Sequence, residues 1–196
     1  MFLSKKGELL IVLSLALALV LMSCSLVFQI SLAQTPATTT TTQWKTIRNA
    51  AFGISFELPN NWTNTKQIQS KEVMTLLTVD PKQTQAFSAS LVLSNQSKAL
   101  ATVEQFSKNA VNKTSSSPSF KMIQPLDFSK YTISGERAGT YVYTNKLTSH
   151  ITESQALLTI HNGKHYLFIY SAFPPQFDSP GQKAIRDHIL KSIRFL

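Results

Sequence analysis

The chain has 196 residues and one cysteine, with 19 lysines and arginines against 10 aspartates and glutamates, for a formal net charge of +9. Setting aside an export segment and a linker leaves Trp44–Leu196, enough for one domain with its own core; the lone Cys24 falls outside it, which excludes a disulfide, a cysteine zinc site and a thiol nucleophile there. Charged residues are 15% of the chain, below the ~25% of common soluble domains, and the basic excess forms no Lys/Arg run, so no nucleic acid partner is expected behind an export signal.

Residues 1–33 read as a signal peptide or N-terminal membrane anchor. Lys5 and Lys6 precede Leu9–Phe28, which is almost wholly apolar and long enough for the ~20 residues that span a bilayer. Three fates fit. Ser31-Leu32-Ala33 offers small residues to a signal peptidase, giving cleavage between Ala33 and Gln34. The apolar run exceeds the usual ~7–15-residue core of a signal peptide, which fits a retained anchor. Leu21-Met22-Ser23-Cys24 looks like a lipobox, making Cys24 a candidate for lipidation. Each fate places the domain outside the cytoplasm, secreted or held at the outer face of the cytoplasmic membrane.

Residues 34–43 form a Thr-rich linker. The unbroken Thr38–Thr42 run follows Pro36 and lacks apolar partners, so it is expected to stay extended and solvated. Asn61, Asn95 and Asn112 each begin an N-glycosylation tripeptide.

The domain opens with alternation over Ile54–Leu58, which predicts a strand with one buried face, ended by Pro59. Val73–Val79 and Phe87–Leu93 predict two more strands. The period then becomes helical through Val103, Phe106 and Ala110, with Thr102 and Gln105 forming a capping box. Further strands are expected at Phe120–Leu126, Tyr131–Tyr143 (two, or one long bent strand), Glu153–His161 and His165–Ala172. Asn162-Gly163 joins the last two as a two-residue hairpin turn. A final helix starts at Ser179, with Pro180 first and Gln182 completing a second capping box; Ile185, Ile189 and Ile193 line its apolar face, and Lys183, Arg186, Lys191 and Arg194 lie mostly elsewhere. Strands, helix, strands, helix predict an α+β domain on an antiparallel sheet.

Few residues suggest chemistry. His161 and His165 have metal-like spacing, yet the hairpin pairs His161 with Lys164 and Ile160 with His165, so the two rings should leave opposite faces. His150 and His188 have no carboxylate at metal spacing. Glu57, Glu72, Glu136 and Glu153 are expected to face water. Neither a Gly-x-Ser-x-Gly turn nor a glycine-rich phosphate loop is present. No catalytic residue, metal ligand or cofactor is assigned. Tyr141, Tyr143, Tyr166, Phe168 and Tyr170 crowd neighbouring strands, where they fill the core or line a shallow pocket. Trp62 packs under the sheet or contacts a ligand, and Phe173-Pro174-Pro175-Gln176-Phe177 makes a rigid aromatic contact loop.

Taken together, these landmarks resemble the PsbP-like domain family, named for the extrinsic oxygen-evolving enhancer protein of photosystem II. Gly53-Ile54-Ser55-Phe56, Pro59 and Trp62 are similar to its opening strand; Gly135, Ala138 and Tyr143 to its middle strand; Asn162-Gly163-Lys164, Tyr166, Tyr170-Ser171-Ala172 and Phe177 to its late hairpin; Ser192-Ile193-Arg194-Phe195 to its ending. The resemblance implies an α/β/α sandwich, a central antiparallel sheet flanked by helices, over residues 44–196. It also implies an exported, non-enzymatic binding or assembly module whose partner is an unknown envelope protein or complex; a photosynthetic role is not carried over. Two alternatives remain: a small-ligand carrier or enzyme using the aromatic pocket, and a basic domain that binds anionic lipid or glycan.

Overall fold

A computed structural model describes residues 42–62, 64–70, 73–82, 84–92, 102–147 and 150–196. Cys24, Ala33, Gln34 and Asn95 lie outside the described residues. Among those residues no helix is long and apolar enough to cross a membrane.

The chain runs β1 (Trp44–Asn49), β2 (Ile54–Pro59), β3 (Asn64–Gln69), β4 (Val73–Val79), β5 (Gln85–Val92), α1 (Val103–Ser115), β6 (Phe120–Ile133), β7 (Glu136–Leu147), β8 (His150–His161), β9 (Lys164–Ala172), a 3-10 turn (Gln176–Asp178), α2 (Pro180–Ser192) and β10 (Arg194–Phe195). Seven strands form one antiparallel sheet in the order β3-β4-β5-β9-β8-β7-β6, and a small sheet has the order β1-β2-β10. This is the expected α+β fold with a central antiparallel sheet.

Alternation along β7, β8 and β9 sends side chains to two apolar layers. Ala138, Val142, Leu157, Phe168 and Tyr170 join Ile54, Phe56, Leu58, Ile189, Leu190 and Ile193 on one side. Tyr141, Tyr143, Ala156, Leu158 and Leu167 meet Phe106 of α1 on the other. The large sheet is thus covered by α1 on one face, and by the small sheet with α2 on the other. Trp62 is 2% exposed within the first layer, and a ring of that size removes ~150–250 Å² from water.

The turns follow the residues. Asn162 (φ 49) and Gly163 (φ 71) take the left-handed conformation of a two-residue hairpin, as do Ser134 (φ 51) and Gly135 (φ 87) between β6 and β7. Tyr131–Tyr143 therefore divides into the end of β6 and the start of β7. β6 is one long edge strand in place of a short one, and its register shifts around Pro125, which cannot donate to a ladder. Three strands are not foreseen: β1 and the edge strand β3, whose sequence is NTKQIQ, carry too little apolar signal, and β10 takes Arg194 and Phe195 from the expected final helix, which ends at Ser192 with Ile193 already extended. Gln43, the last linker residue, accepts a 2.8 Å backbone bond from Asn60.

One of the two capping boxes has its cap bond. Thr102 Oγ1 accepts from Gln105 N at 3.2 Å. Ser179 makes no cap bond; its hydroxyl donates to Gln176 O at 2.8 Å, because the preceding 3-10 turn presents that carbonyl first. Arg186, expected on the polar side of α2, is 7% exposed. Its Nη1 donates to Phe177 O at 3.2 Å, and its guanidinium lies 4.1 Å over the Phe177 ring.

Helix α1 approaches β7 at Gly139, where a Cβ would lie 2.6 Å from Ser107 Oγ and 2.8 Å from the Phe128 ring. Gly139→Ala is expected to lower unfolding stability by about 1–3 kcal/mol through overpacking. Gly181→Ala meets nothing within 4 Å and is expected to leave stability unchanged or raise it by up to about 1 kcal/mol. Urea unfolding of both variants checks the contrast.

Candidate functional site

The aromatic residues singled out in the sequence go mostly to the interior. Trp62, Tyr143, Tyr166, Tyr170 and Phe177 are each about 2% exposed or less. Tyr166 OH donates to Phe52 O at 3.1 Å and Tyr170 OH to Gln85 Oε1 at 2.8 Å. Tyr143 stacks on Phe120 beneath α1, on the opposite face from Tyr166 and Tyr170. The rings therefore do not converge on a shared pocket; they fill two separate layers. Phe173 keeps partial exposure and lies 5.8 Å from His150.

The histidine pair diverges. His161 stacks on Phe195 at 4.0 Å, with its Nδ1 3.3 Å from Glu136 Oε1, whereas His165 is buried edge-on to Phe106 of α1. Asn61 sits in an exposed turn after β2, and Asn112 on the exposed side of α1.

What sequence reasoning missed lies where β2 meets the end of α2. Glu57 and His188 are 131 residues apart, yet His188 Nε2 donates to Glu57 Oε2 at 2.6 Å. His188, read as lacking a carboxylate, has one because α2 returns the chain alongside β2. Glu57 likewise does not simply face water. Trp44 stacks on the His188 imidazole at 3.6 Å with the planes 16° apart. The ends of the domain are joined here, since Glu57 N donates to Ser192 Oγ at 2.8 Å and Leu196 N to Gly53 O at 2.9 Å. No local signal could have found this pair; only the small sheet's topology assembles it.

Beside it runs an open cleft of about 370 Å³ lined by Thr46, Ser55, Glu57, His188, Lys191 and Arg194 among others. Across the small sheet, Arg48 pairs with Ser55 and Ser55 with Arg194, so the three share a face; Thr46 pairs with Glu57 on the same face. Arg194 Nη1 donates to Lys191 O at 2.6 Å and Ile193 O at 2.7 Å, covering the carbonyl end of α2. Ser192, His188 and Glu57 do not make a nucleophile–base–carboxylate relay, because Ser192 Oγ donates its proton to Ile189 O at 2.7 Å. The cleft can recognise charge; its hydroxyl at Ser192 is committed to the backbone.

Two outcomes follow. Ser192→Ala leaves the half-buried Glu57 N–H unpaired and is expected to cost about 1–2 kcal/mol of stability, measured by urea unfolding. Burial raises the phenol pKa of Tyr141, Tyr143, Tyr166 and Tyr170 above the ordinary 10.0. The folded protein therefore keeps protons that the unfolded chain loses. This stability is fully present below pH 10 and is lost as pH rises through the folded values, so phenolate absorbance should grow together with loss of the fold and not before it.

Comparison with known proteins places the fold. No family model matches the chain, and no curated protein matches it. The cyanobacterial PsbP protein CyanoP from Synechocystis is 15% identical, with a TM-score of 0.56 over 83% of this chain and 98% of its own. A protein from Bacteroides thetaiotaomicron is 13% identical, with a TM-score of 0.50 over 78% of this chain and 48% of its own. LpqN, involved in cell envelope biogenesis of Mycobacterium tuberculosis, is 11% identical, with a TM-score of 0.41. The chain thus has a PsbP-like fold.

Proposed function

We propose that this protein is an exported, non-enzymatic binding or assembly module that works at the outer face of the membrane, and that it engages its partner through the cleft beside α2. The observation that carries this reading is the positive charge where the small sheet meets the end of α2. Arg48, Lys191 and Arg194 have no carboxylate partner among the described residues, and Glu57, which lines the cleft, is already bonded to His188. Surface cations left unneutralised repel one another, so placing Lys191 and Arg194 in one indentation with Arg48 beside it is most useful for recognising something acidic. The committed Ser192 hydroxyl and the buried tyrosines support recognition over chemistry. Lys5, Lys6 and the apolar run behind them support export, and the Thr-rich linker gives the domain reach from a membrane.

Affinity purification of the full chain from native membranes tests this. One envelope protein or complex is expected at fixed stoichiometry, and its yield should fall at least roughly tenfold with Arg48→Glu plus Lys191→Glu. Recovery of the protein in the cytosol, or undiminished partner yield with the variant, would overturn the proposal.

A further inference from the structure

We infer that the cleft beside α2 is a site for a phosphate-bearing anion the size of a lipid headgroup; this rests on the reading of that cleft as the binding surface. Three elements bring cations to its lining and its rim. Arg194 from β10 and Lys191 from the last turn of α2 line it, and Arg48 from β1 stands beside it, paired across the ladder with the lining residue Ser55 as Arg194 is. Adjacent strands stand ~4.8 Å apart, so the two arginines flank the Ser55 position on one face. Thr46 adds a second hydroxyl in the neighbouring row.

Two features oppose an anion there, and both are offset. The Glu57 carboxylate lines the cleft, but its Oε2 accepts from His188 at 2.6 Å. The carbonyl end of α2 carries partial negative charge, but Arg194 Nη1 already covers Lys191 O and Ile193 O. Lys191 and Arg194 exceed the single lining carboxylate by one charge, and Arg48 beside the cleft adds another.

Geometry favours phosphate over carboxylate. Two guanidinium groups and an ammonium, carried at and beside the cleft by different elements, suit an anion with three acceptor oxygens and a charge near −2. A carboxylate presents two oxygens in one plane and would leave one cation unmatched. The cleft's ~370 Å³ lies at the small end of ligand sites of ~300–1,000 Å³. The Trp44 indole stacks on His188, which lines the cleft, so a ligand bound there changes the surroundings of that ring.

Tryptophan fluorescence reads this directly, since the chain has two tryptophans and Trp62 is buried. The full chain in a neutral detergent at low salt is titrated with glycerol 1-phosphate, and with acetate for comparison. Flotation on phosphatidylglycerol vesicles is compared with phosphatidylcholine vesicles. Saturable change with glycerol phosphate and little with acetate is expected, with affinity falling roughly tenfold in Arg48→Gln/Lys191→Gln and not in Lys82→Gln. Neither substituted side chain holds the fold through a hydrogen bond among the described residues. Binding to the soluble ester without preference for phosphatidylglycerol identifies a free phosphate ester; binding confined to phosphatidylglycerol identifies a headgroup, provided Arg48→Gln/Lys191→Gln weakens it more than Lys82→Gln does. Equal effects of the two variants, or no response to either ligand, would overturn the inference. If titrations are flat while partner recovery still depends on Arg48 and Lys191, the ligand class falls and the binding module stands; if both are lost, the reading beneath falls too.

Discussion

The hairpin β8–β9 is apolar on both faces, and the rest of the molecule is arranged to satisfy that. Ser154–Thr159 and His165–Phe168 are buried without interruption. A half-solvated antiparallel sheet would alternate; this one needs a cover on each side. Helix α1 closes one face over Tyr141, Tyr143 and Leu158. The other is closed by α2 and the small sheet over Leu157, Phe168 and Tyr170. Register is fixed by the Asn162-Gly163 turn, because a slip of one residue would exchange the two layers. Some of the polar atoms caught inside pair across strands, Ser154 with Ser171 at 2.8 Å and Thr75 with Ser90 at 2.9 Å.

That constraint also explains what the sequence makes legible. Ile54–Leu58, Val73–Val79, the starts of both helices and the late hairpin stand out because each carries a strong local signal: an apolar period, a capping residue or a proline at a helix start, or a turn residue with positive φ. β1 and β3 do not. They lie at sheet edges, where one side of the ladder is left unpaired, and a polar sequence such as NTKQIQ serves there. Arg186 defeats a helical-wheel reading for a different reason. A long cation can be buried when its head finds a carbonyl and an aromatic face, and Phe177 supplies both.

The candidate site is illegible for a third reason. Its members come from residues 44–57 and 188–194 and meet only because the C-terminal strand β10 adds to β2, the strand that opens the domain. Sequence spacing carries no trace of a contact made over 131 residues. The aromatic residues attract attention first in the sequence, yet burial uses them up. The residues that remain available, Arg48, Lys191 and Arg194, looked like ordinary solvated charges.

Closing the domain at this place gives the cleft a rigidity that a surface loop would lack. Glu57 is held through its backbone by Ser192 and through its carboxylate by His188, and His188 is held again by the Trp44 ring. The exposed Glu57–His188 pair by itself is worth little, about 0–1 kcal/mol. Its value lies in position. By occupying one oxygen of the cleft's carboxylate, His188 reduces that group's demand on Lys191 and Arg194, neither of which is paired with a carboxylate among the described residues. Arg194 in turn neutralises the helix end that would otherwise repel an anion. The same contacts that fasten the last strand to the first therefore set the sign of the surface beside them.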